Sequence, residues 1–328
     1  MSPVVSIGIP TYNGAQYLRE CLKSISEQTF KDFEVNIVDD CSNDETVEIA
    51  NTYASQDPRI AVHLNPARLG LVGNFNRCVA LAHGKYVCVF GQDDVMLPKN
   101  IAKKVEVLEA NPNIGFVHSN IYEINGAGEV RREHWEADST TDYVACGREY
   151  LGKLLMSARN LICCPSVLGR KECFDRLGGF HDQLPYTCDW EMWMRFSLNW
   201  DVACLGTALI KYRRHAQSET DRVLNTPFRI EQILLAKNLV LFDKKNEIPN
   251  SEWLKQEVKR CAAGEALGSA LRAYYEDSFR DSWEFLKLAL KVRPPMITEP
   301  KFVRLFIRLA LGMRCVRAYR RIKDSFCI

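Results

Sequence analysis

An α/β fold is what this sequence predicts: a mostly parallel sheet covered by helices on both faces, followed by an all-helical C-terminal extension. Three observations carry the prediction. Strand-like and helix-like patterns alternate over the first 120 residues. The strand-like runs are nearly continuous in apolar side chains, as strands buried on both faces must be. From Thr226 onward only helical spacing recurs.

The elements follow in order. "VVSIGI" (4–9) is apolar and rich in β-branched residues, and "YNG" turns the chain. Tyr17, Leu18, Cys21, Leu22 and Ile25 then recur at helical spacing. "FEVNIVD" (33–39) reads as a second strand. Ser42, followed three residues later by Glu45, forms a capping box that opens a helix through about Ser55. "RIAVHL" (59–64) is a third strand, and "GLVGNFNRCVALAHG" (70–84) a helix that Gly84 stops. "YVCVF" (86–90), a helix from Pro98 to Asn111 and "IGFVHS" (114–119) complete the alternation. Between 120 and 165 the pattern weakens to one helix, "REYLGKLLM". A strand and short helix follow in "SVLGRKECFDRLGGF", then an amphipathic helix in "DWEMWMRFSLNW" and further strands in "VACLG" and "ALIKYRRH". Helices are expected near 226–244, 251–275, 278–291 and 300–322, so a domain over 1–222 is followed by a helical region over 223–328.

A chain of 328 residues suits one large domain and a smaller one. Its 47% hydrophobic and 26% charged residues are ordinary for a globular protein, and a net charge of +2 gives no reason to expect nucleic acid as a partner. The charge is unevenly placed. Residues 295–328 hold eight Lys and Arg against Glu299 and Asp324, a local +6. The rest of the chain, with 35 basic and 39 acidic residues, carries −4. Thirteen cysteines with no C-x-x-C pair argue against a disulfide framework or a zinc site, and read as reduced thiols used as small hydrophobes. "MSPVVSIGIP" has neither a basic n-region nor a long apolar h-region, and no run reaches the roughly 18 apolar residues of a membrane span. The expected localisation is cytoplasmic.

In parallel α/β sheets, ligands bind beyond the carboxyl ends of the strands. Asn13 after the first strand, Asp39 and Asp40 ending the second, and Asp93 and Asp94 after the fourth all fall on that edge. Two adjacent carboxylates repel unless a cation, a basic partner or open water relieves them. Asp93-Asp94 therefore reads either as a Mg²⁺ or Mn²⁺ site for a phosphorylated ligand, or as a solvated acidic loop ahead of the next helix.

The blocks "VSIGIPTYNGAQYLRECLKSISEQTFKDFEVNIVDDCSNDET" and "RLGLVGNFNRCVALAHGKYVCVFGQDD" resemble the opening of the inverting family 2 glycosyltransferases and its continuation into a D-x-D metal motif. The likeness runs nearly unbroken through about residue 120, resumes at 165–218 and covers more than half the chain. It implies the GT-A fold (Rossmann-like) over 1–222. Residues 1–120 form the nucleotide-sugar half, and 121–222 the acceptor half. It implies a nucleotide-sugar donor, expected to be UDP-linked, a Mn²⁺ or Mg²⁺ cofactor, and a glycan or lipid-linked saccharide acceptor in surface polysaccharide synthesis.

Carried over position by position, Pro10, Thr11, Tyr12 and Asn13 form the first wall of the nucleotide pocket. Asp40 accepts a hydrogen bond from the base, and Asp39 orients the loop or reaches the ribose. Asn74 and Asn76 match positions near the nucleotide, although a helix-cap or exposed-face reading stands beside that one. Asp93 and Asp94 share the ribose and metal duties. Asp189 is the general base, with a plain helix N-cap as its structural alternative and Glu191 as its nearest rival. His215 matches a position that reaches the metal or the diphosphate.

Two departures stand out: the commoner pattern has an acidic residue where Gly91 lies, and an acidic residue where Cys188 lies. They support an alternative in which the chain is a scaffold that binds a nucleotide-sugar or membrane without turnover. A nucleotidyltransferase would need a Gly-rich basic loop where "PTYNGAQYL" stands. A dinucleotide-dependent oxidoreductase would need a G-x-G-x-x-G after the first strand. The segment "KFVRLFIRLALGMRCVRAYRRIK" (301–323) reads as a basic amphipathic helix. It either lies in an anionic membrane interface on the cytosolic face or packs on the rest of the protein with a solvated basic side.

Overall fold

The computed structural model describes residues 3–133, 140–244 and 247–311. The chain divides into two compact units, residues 1–221 and 222–328. In the first unit the order is β1 (Val5–Thr11), α1 (Ala15–Ser26), β2 (Phe33–Asp39), α2 (Thr46–Gln56), β3 (Ile60–Leu64), α3 (Gly70–Ala80), β4 (Tyr86–Val89), β5 (Val95–Met96), α4 (Asn100–Ala110) and β6 (Ile114–Ile124). It continues with β7 (Val130–Glu133), β8 (Tyr143–Ala145), α5 (Gly147–Met156), a 3₁₀ turn over Cys164–Ser166, β9 (Leu168–Arg170), α6 (Lys171–Leu177), α7 (Cys188–Asn199) and β10 (Asp201–Arg213), and the short α8 (Glu219–Val223) spans the division between the units.

The sheet order is β3-β2-β1-β4-β9-β6-β10-β5, with β7 on β6 and β8 on β10. The long pairings are parallel, as the apolar runs predict: β3 with β2, β2 with β1, β1 with β4, and β6 with β10. The short strands β5, β7, β8 and β9 pair antiparallel, so the sheet is mixed. One antiparallel strand, β9, lies between β4 and β6. Two reversals restore direction, so β6 and β10 point the same way as β1, β2 and β4. Their carboxyl ends therefore share one edge. "VACLG" through "ALIKYR" forms one strand, with irregularities between Leu205 and Ala208 and between Ala208 and Ile210.

The core of this unit is built from Val5, Ile7, Ile9, Val35, Ile37, Tyr86, Cys88 and Val117 with Leu18, Cys21 and Leu22 of α1. Gly8 lets α3 lie against β1, since a Cβ there would stand 2.5 Å from the Cβ of Cys78. The predicted capping box differs from what forms. Ser42 turns back to Asp39, and Asp44 instead accepts from the Thr46 amide and hydroxyl at the start of α2.

The second unit contains α9 (Pro227–Asp243), α10 (Ser251–Tyr275), α11 (Phe279–Val292) and α12 (300–311). A seam of Ala262, Ala263, Ala266 and Ala270 lets α10 approach its neighbours closely. Phe285, Leu286 and Ala289 of α11 and Phe302, Leu305 and Leu309 of α12 complete this core. Residues 312–323 of the expected basic helix lie outside the described residues.

Candidate active site

The edge where β1, β2, β4, β6 and β10 end gathers the predicted polar clusters. Pro10 and Thr11 close β1 beyond its last pairing with β4, Gly8 to Val89, where a residue without N–H costs the sheet least. The Thr11 hydroxyl donates to Asp39 Oδ1 at 3.0 Å, and Asp39 also receives the Ser42 amide and hydroxyl at 2.9 and 2.5 Å. These bonds tie Asp39 to the end of β1 and to the loop after β2. Asn13 sits in the left-handed region at φ 47°, a conformation asparagine tolerates. It ties the loops together, its amide donating to Ser42 Oγ and its Oδ1 accepting from the Asn43 amide.

Tyr12 is 37% exposed and held by a reciprocal pair: its N–H donates to Gln92 Oε1 and its carbonyl accepts from Gln92 Nε2, both at 3.1 Å. The Arg68 guanidinium lies 3.8 Å from the centroid of the Tyr12 ring. Together they present a flat, cationic surface on which an aromatic ring can stack.

Asp40 is tied into the chain on three sides. It is buried, and its carboxylate receives Asn65 Nδ2 at 2.8 Å, the Leu69 amide at 2.7 Å and the Gly70 amide at 2.9 Å. Three of about four acceptor positions of a carboxylate are therefore used inside the chain, and they anchor the positive end of α3. Asn74 and Asn76 are bonded within the chain, neither capping a helix nor standing free. Asn74 Nδ2 donates to the Val38 carbonyl while its Oδ1 accepts from Asn65. Asn76 exchanges both its amide bonds with the main chain of Phe180. Short polar side chains in a helix read alike whether they meet a ligand or a distant loop, so the sequence carries no signal that separates the two.

Asp93 and Asp94 lie in the turn after β4. Asp94 is buried and its Oδ1 accepts the Arg213 amide at 2.8 Å. Burial and the neighbouring Asp93 charge both push its carboxyl well above the usual range, against the relief supplied by Arg213. Asp93 Oδ2 meets His215 Nε2 at 2.9 Å, and the His215 ring lies 5.0 Å from that of Tyr17. The other two oxygens converge. A Cβ on Gly91 would stand 3.0 Å from Asp93 Oδ1 and 2.5 Å from Asp94 Oδ2, and no hydrogen-bond donor among the described residues reaches either. The absence of a side chain at 91 keeps this space clear.

Among the described residues no three acidic, imidazole or thiol groups form a ready metal cage. Two converging carboxylate oxygens beside one histidine fit Mg²⁺ or Mn²⁺, which take few protein ligands and complete their shell from phosphate oxygens and water.

Beneath this turn lies a residue the sequence reading passed over. Arg213, the last residue of β10, is 2% exposed. Its Nε donates to the Asp93 carbonyl at 2.8 Å, Nη1 to the carbonyls of Asn125 and Gly126, and Nη2 to Glu20 at 2.5 Å. The guanidinium also lies over the Tyr17 ring. It holds the main chain of the turn through the Asp93 carbonyl, and its charge favours the ionised form of Asp94. Its only sequence signal was its place in "YRRH".

Asp189 stands at the second position of α7, whose N-cap is Thr187, so the plain N-cap reading does not hold. Its Oδ2 accepts from Asn160 Nδ2 at 2.9 Å. Burial pushes the carboxyl up to about 6, although Asn160 and the amides at the start of α7 favour its charged form. Glu191, the rival, is committed elsewhere: it is buried and paired with Arg195 at 2.6 and 2.9 Å. The Cys164–Ser166 turn that follows Asn160 packs against β4, β6 and β10, and its Pro165 carbonyl faces the Cys88 thiol of β4. Cys188 is buried at the head of α7, beside Asp189.

The fold and this edge define a GT-A glycosyltransferase. The family model of glycosyl transferase family 2 matches residues 6–178, and the chain belongs to that family. The matched segment includes Asp40, Asp93 and Asp94 but ends before Asp189 and His215. The chain is 30% identical over 214 residues to an uncharacterized glycosyltransferase of Methanocaldococcus jannaschii, covering 64% of this chain and 71% of the relative. Among solved structures it is similar to S. aureus TarS 1–349 in complex with UDP-GlcNAc, with a TM-score of 0.62, 19% identity and coverage of 89% and 83%. It is also similar to the mannosyltransferase PcManGT from Pyrobaculum calidifontis in complex with GDP-Man and Mn²⁺, with a TM-score of 0.55, 18% identity and coverage of 91% and 89%.

Proposed function

We propose that this glycosyltransferase transfers a sugar, with inversion, from a UDP-sugar to a hydroxyl of a glycan or lipid-linked saccharide in surface polysaccharide synthesis. The observation that carries the reading is the pair of carboxylate oxygens, Asp93 Oδ1 and Asp94 Oδ2, that converge without an internal donor. The UDP-GlcNAc complex of TarS supports UDP as the nucleotide, and the Mn²⁺ in the mannosyltransferase complex supports a divalent ion.

In this reading residues 1–120 bind the donor and 121–222 the acceptor. Tyr12 and Arg68 stack on the base, Asn13 and Pro10 border it, and Asp40 contributes its remaining acceptor position on Oδ2. Asp93, Asp94 and His215 would hold Mn²⁺ or Mg²⁺, which supplies Lewis-acid stabilisation of the departing diphosphate. Asp189 takes the proton from the acceptor hydroxyl as that oxygen attacks the anomeric carbon from the face opposite the diphosphate. Asn160, by fixing one carboxylate oxygen, leaves the other to accept that proton.

The direct test is thermal stabilisation by nucleotide-sugars with and without MnCl₂. At a donor concentration 100 times Kd, mass action adds about 2.7 kcal/mol. For a unit of this size that raises Tm by roughly 5–10 °C. Asp93→Ala is expected to abolish the Mn²⁺-dependent part. If no UDP-sugar shifts Tm under either condition, the donor reading is wrong.

Asn160 gives a second expectation. Asn160→Ala removes a donor that favours ionised Asp189, so the acid limb of the kcat profile moves to higher pH. An unchanged limb would show that Asn160 does not act on the base.

A further inference from the structure

α12 has three sectors. Phe302, Leu305 and Leu309 point into the core of the second unit and are 8% exposed or less. Lys301, Arg304 and Arg308 form a basic sector at i, i+3 and i+7 spacing. Between them, on the remaining side, lie Val303, Phe306, Ile307 and Leu311, exposed by 38%, 46%, 48% and 57%. A helix that merely packs on its own unit has one apolar stripe and a polar remainder. This one has a second apolar stripe, turned to solvent and bordered by cations. Aromatic groups flank it: Trp283 meets Phe306 edge-on at 5.6 Å, and Tyr275, 66% exposed, accepts from Arg308 Nη1 at 3.3 Å.

We propose that this face of α12 docks on an anionic lipid membrane, with the apolar stripe entering the headgroup–acyl boundary and Lys301, Arg304 and Arg308 meeting lipid phosphates. Charge selects this occupant. The described part of α12 carries Lys301, Arg304 and Arg308 and no acidic residue. A second copy of the chain docked face to face would bring these like charges together, whereas an anionic surface attracts all three. The exposed stripe supplies the apolar burial that charge alone lacks. Interfacial aromatic side chains such as Trp283 and Tyr275 suit the same boundary. No helix among the described residues is long and apolar enough to cross a membrane, so the attachment is in the plane of the surface. The inference is independent of how the cleft in the first unit works, and its test needs no turnover.

The test is co-sedimentation of the full chain with vesicles of phosphatidylcholine alone and of phosphatidylcholine mixed with phosphatidylglycerol. The wild-type chain is expected to pellet with the mixed vesicles, remain in the supernatant with the neutral ones, and be released by raised salt. Each Lys or Arg near an anionic surface is worth roughly fivefold in partitioning. Arg304→Gln with Arg308→Gln should therefore weaken binding by about 25-fold. Ile307→Asn with Leu311→Asn should abolish it, with circular dichroism showing the helical content retained. Should that apolar pair fail to fold, the two Gln substitutions carry the test. Wild-type chain that stays in the supernatant with mixed vesicles overturns the proposal, as does pelleting that neither pair of substitutions changes. A dimer in analytical ultracentrifugation that the apolar substitutions dissolve, with vesicle binding at background, assigns the face to a second copy and equally overturns it.

Discussion

Asp189→Asn is expected to lower kcat by about 10²- to 10⁴-fold, the usual contribution of a positioned base, while leaving the donor Kd near its wild-type value. The amide keeps the size of the side chain and can still accept from Asn160, so the head of α7 stays in place. The pH profile makes the test specific. The base works only when ionised, and its carboxyl titrates at about 6. The wild-type rate should thus fall as pH drops through 6, and the variant's residual rate should lack that limb. Stability should move the other way. A carboxyl whose folded pKa is raised above its unfolded value destabilises the fold once pH exceeds the unfolded pKa. Removing the charge at neutral pH is therefore expected to hold or raise Tm, a trade of stability against activity. A rate within threefold of wild type (roughly 0.6 kcal/mol in barrier) would remove Asp189 from the mechanism.

Arg213→Leu should have the largest effect on stability. The pair with Glu20 adds little, because Glu20 is half exposed and its charge is screened by solvent. The cost arises elsewhere. The carbonyls of Asp93 and Gly126 lose their donor and that of Asn125 keeps only the Gly128 amide, and buried Asp94 loses the only guanidinium near it among the described residues. Removing one partner from a buried charge arrangement typically costs about 3–5 kcal/mol, a Tm decrease of roughly 6–20 °C for a unit of this size. Divalent metal should restore part of the loss by supplying the missing positive charge beside Asp93 and Asp94. Arg213→Lys should recover less than full stability, since one ammonium cannot reach the four acceptors a planar guanidinium serves. A melting temperature unchanged in Arg213→Leu would show that the turn holds itself.

Much of the scaffold was legible because local pattern reports burial directly. "FEVNIVD" coincides with β2 and 251–275 with α10, where apolar runs or helical periodicity are long. The short strands β5, β7 and β8 were missed, since two to four residues give no period to read. The placement of Asp39, Asp40, Asp93 and Asp94 on one edge followed from strand direction alone. Their hydrogen bonds did not. That Asp40 also holds the amides of Leu69 and Gly70 could not be read from its place after β2. Asn160 drew no notice, because nothing near it in sequence announces Asp189, 29 residues away.

What the amino-acid sequence determined by itself is the alternation of buried strands and amphipathic helices, the family and the acidic residues at the strand ends. Those properties are written in neighbouring side chains, whose spacing fixes which face meets water. What only the tertiary structure decided is which partner each charge has. The insertion of antiparallel β9 brings β10 into line with β4, and that alignment sets Arg213 and His215 against Asp93 and Asp94, about 120 residues before them. A carboxylate is indifferent to sequence distance and answers only to the field where it lies. Its role therefore became definite only once the sheet had chosen its neighbours.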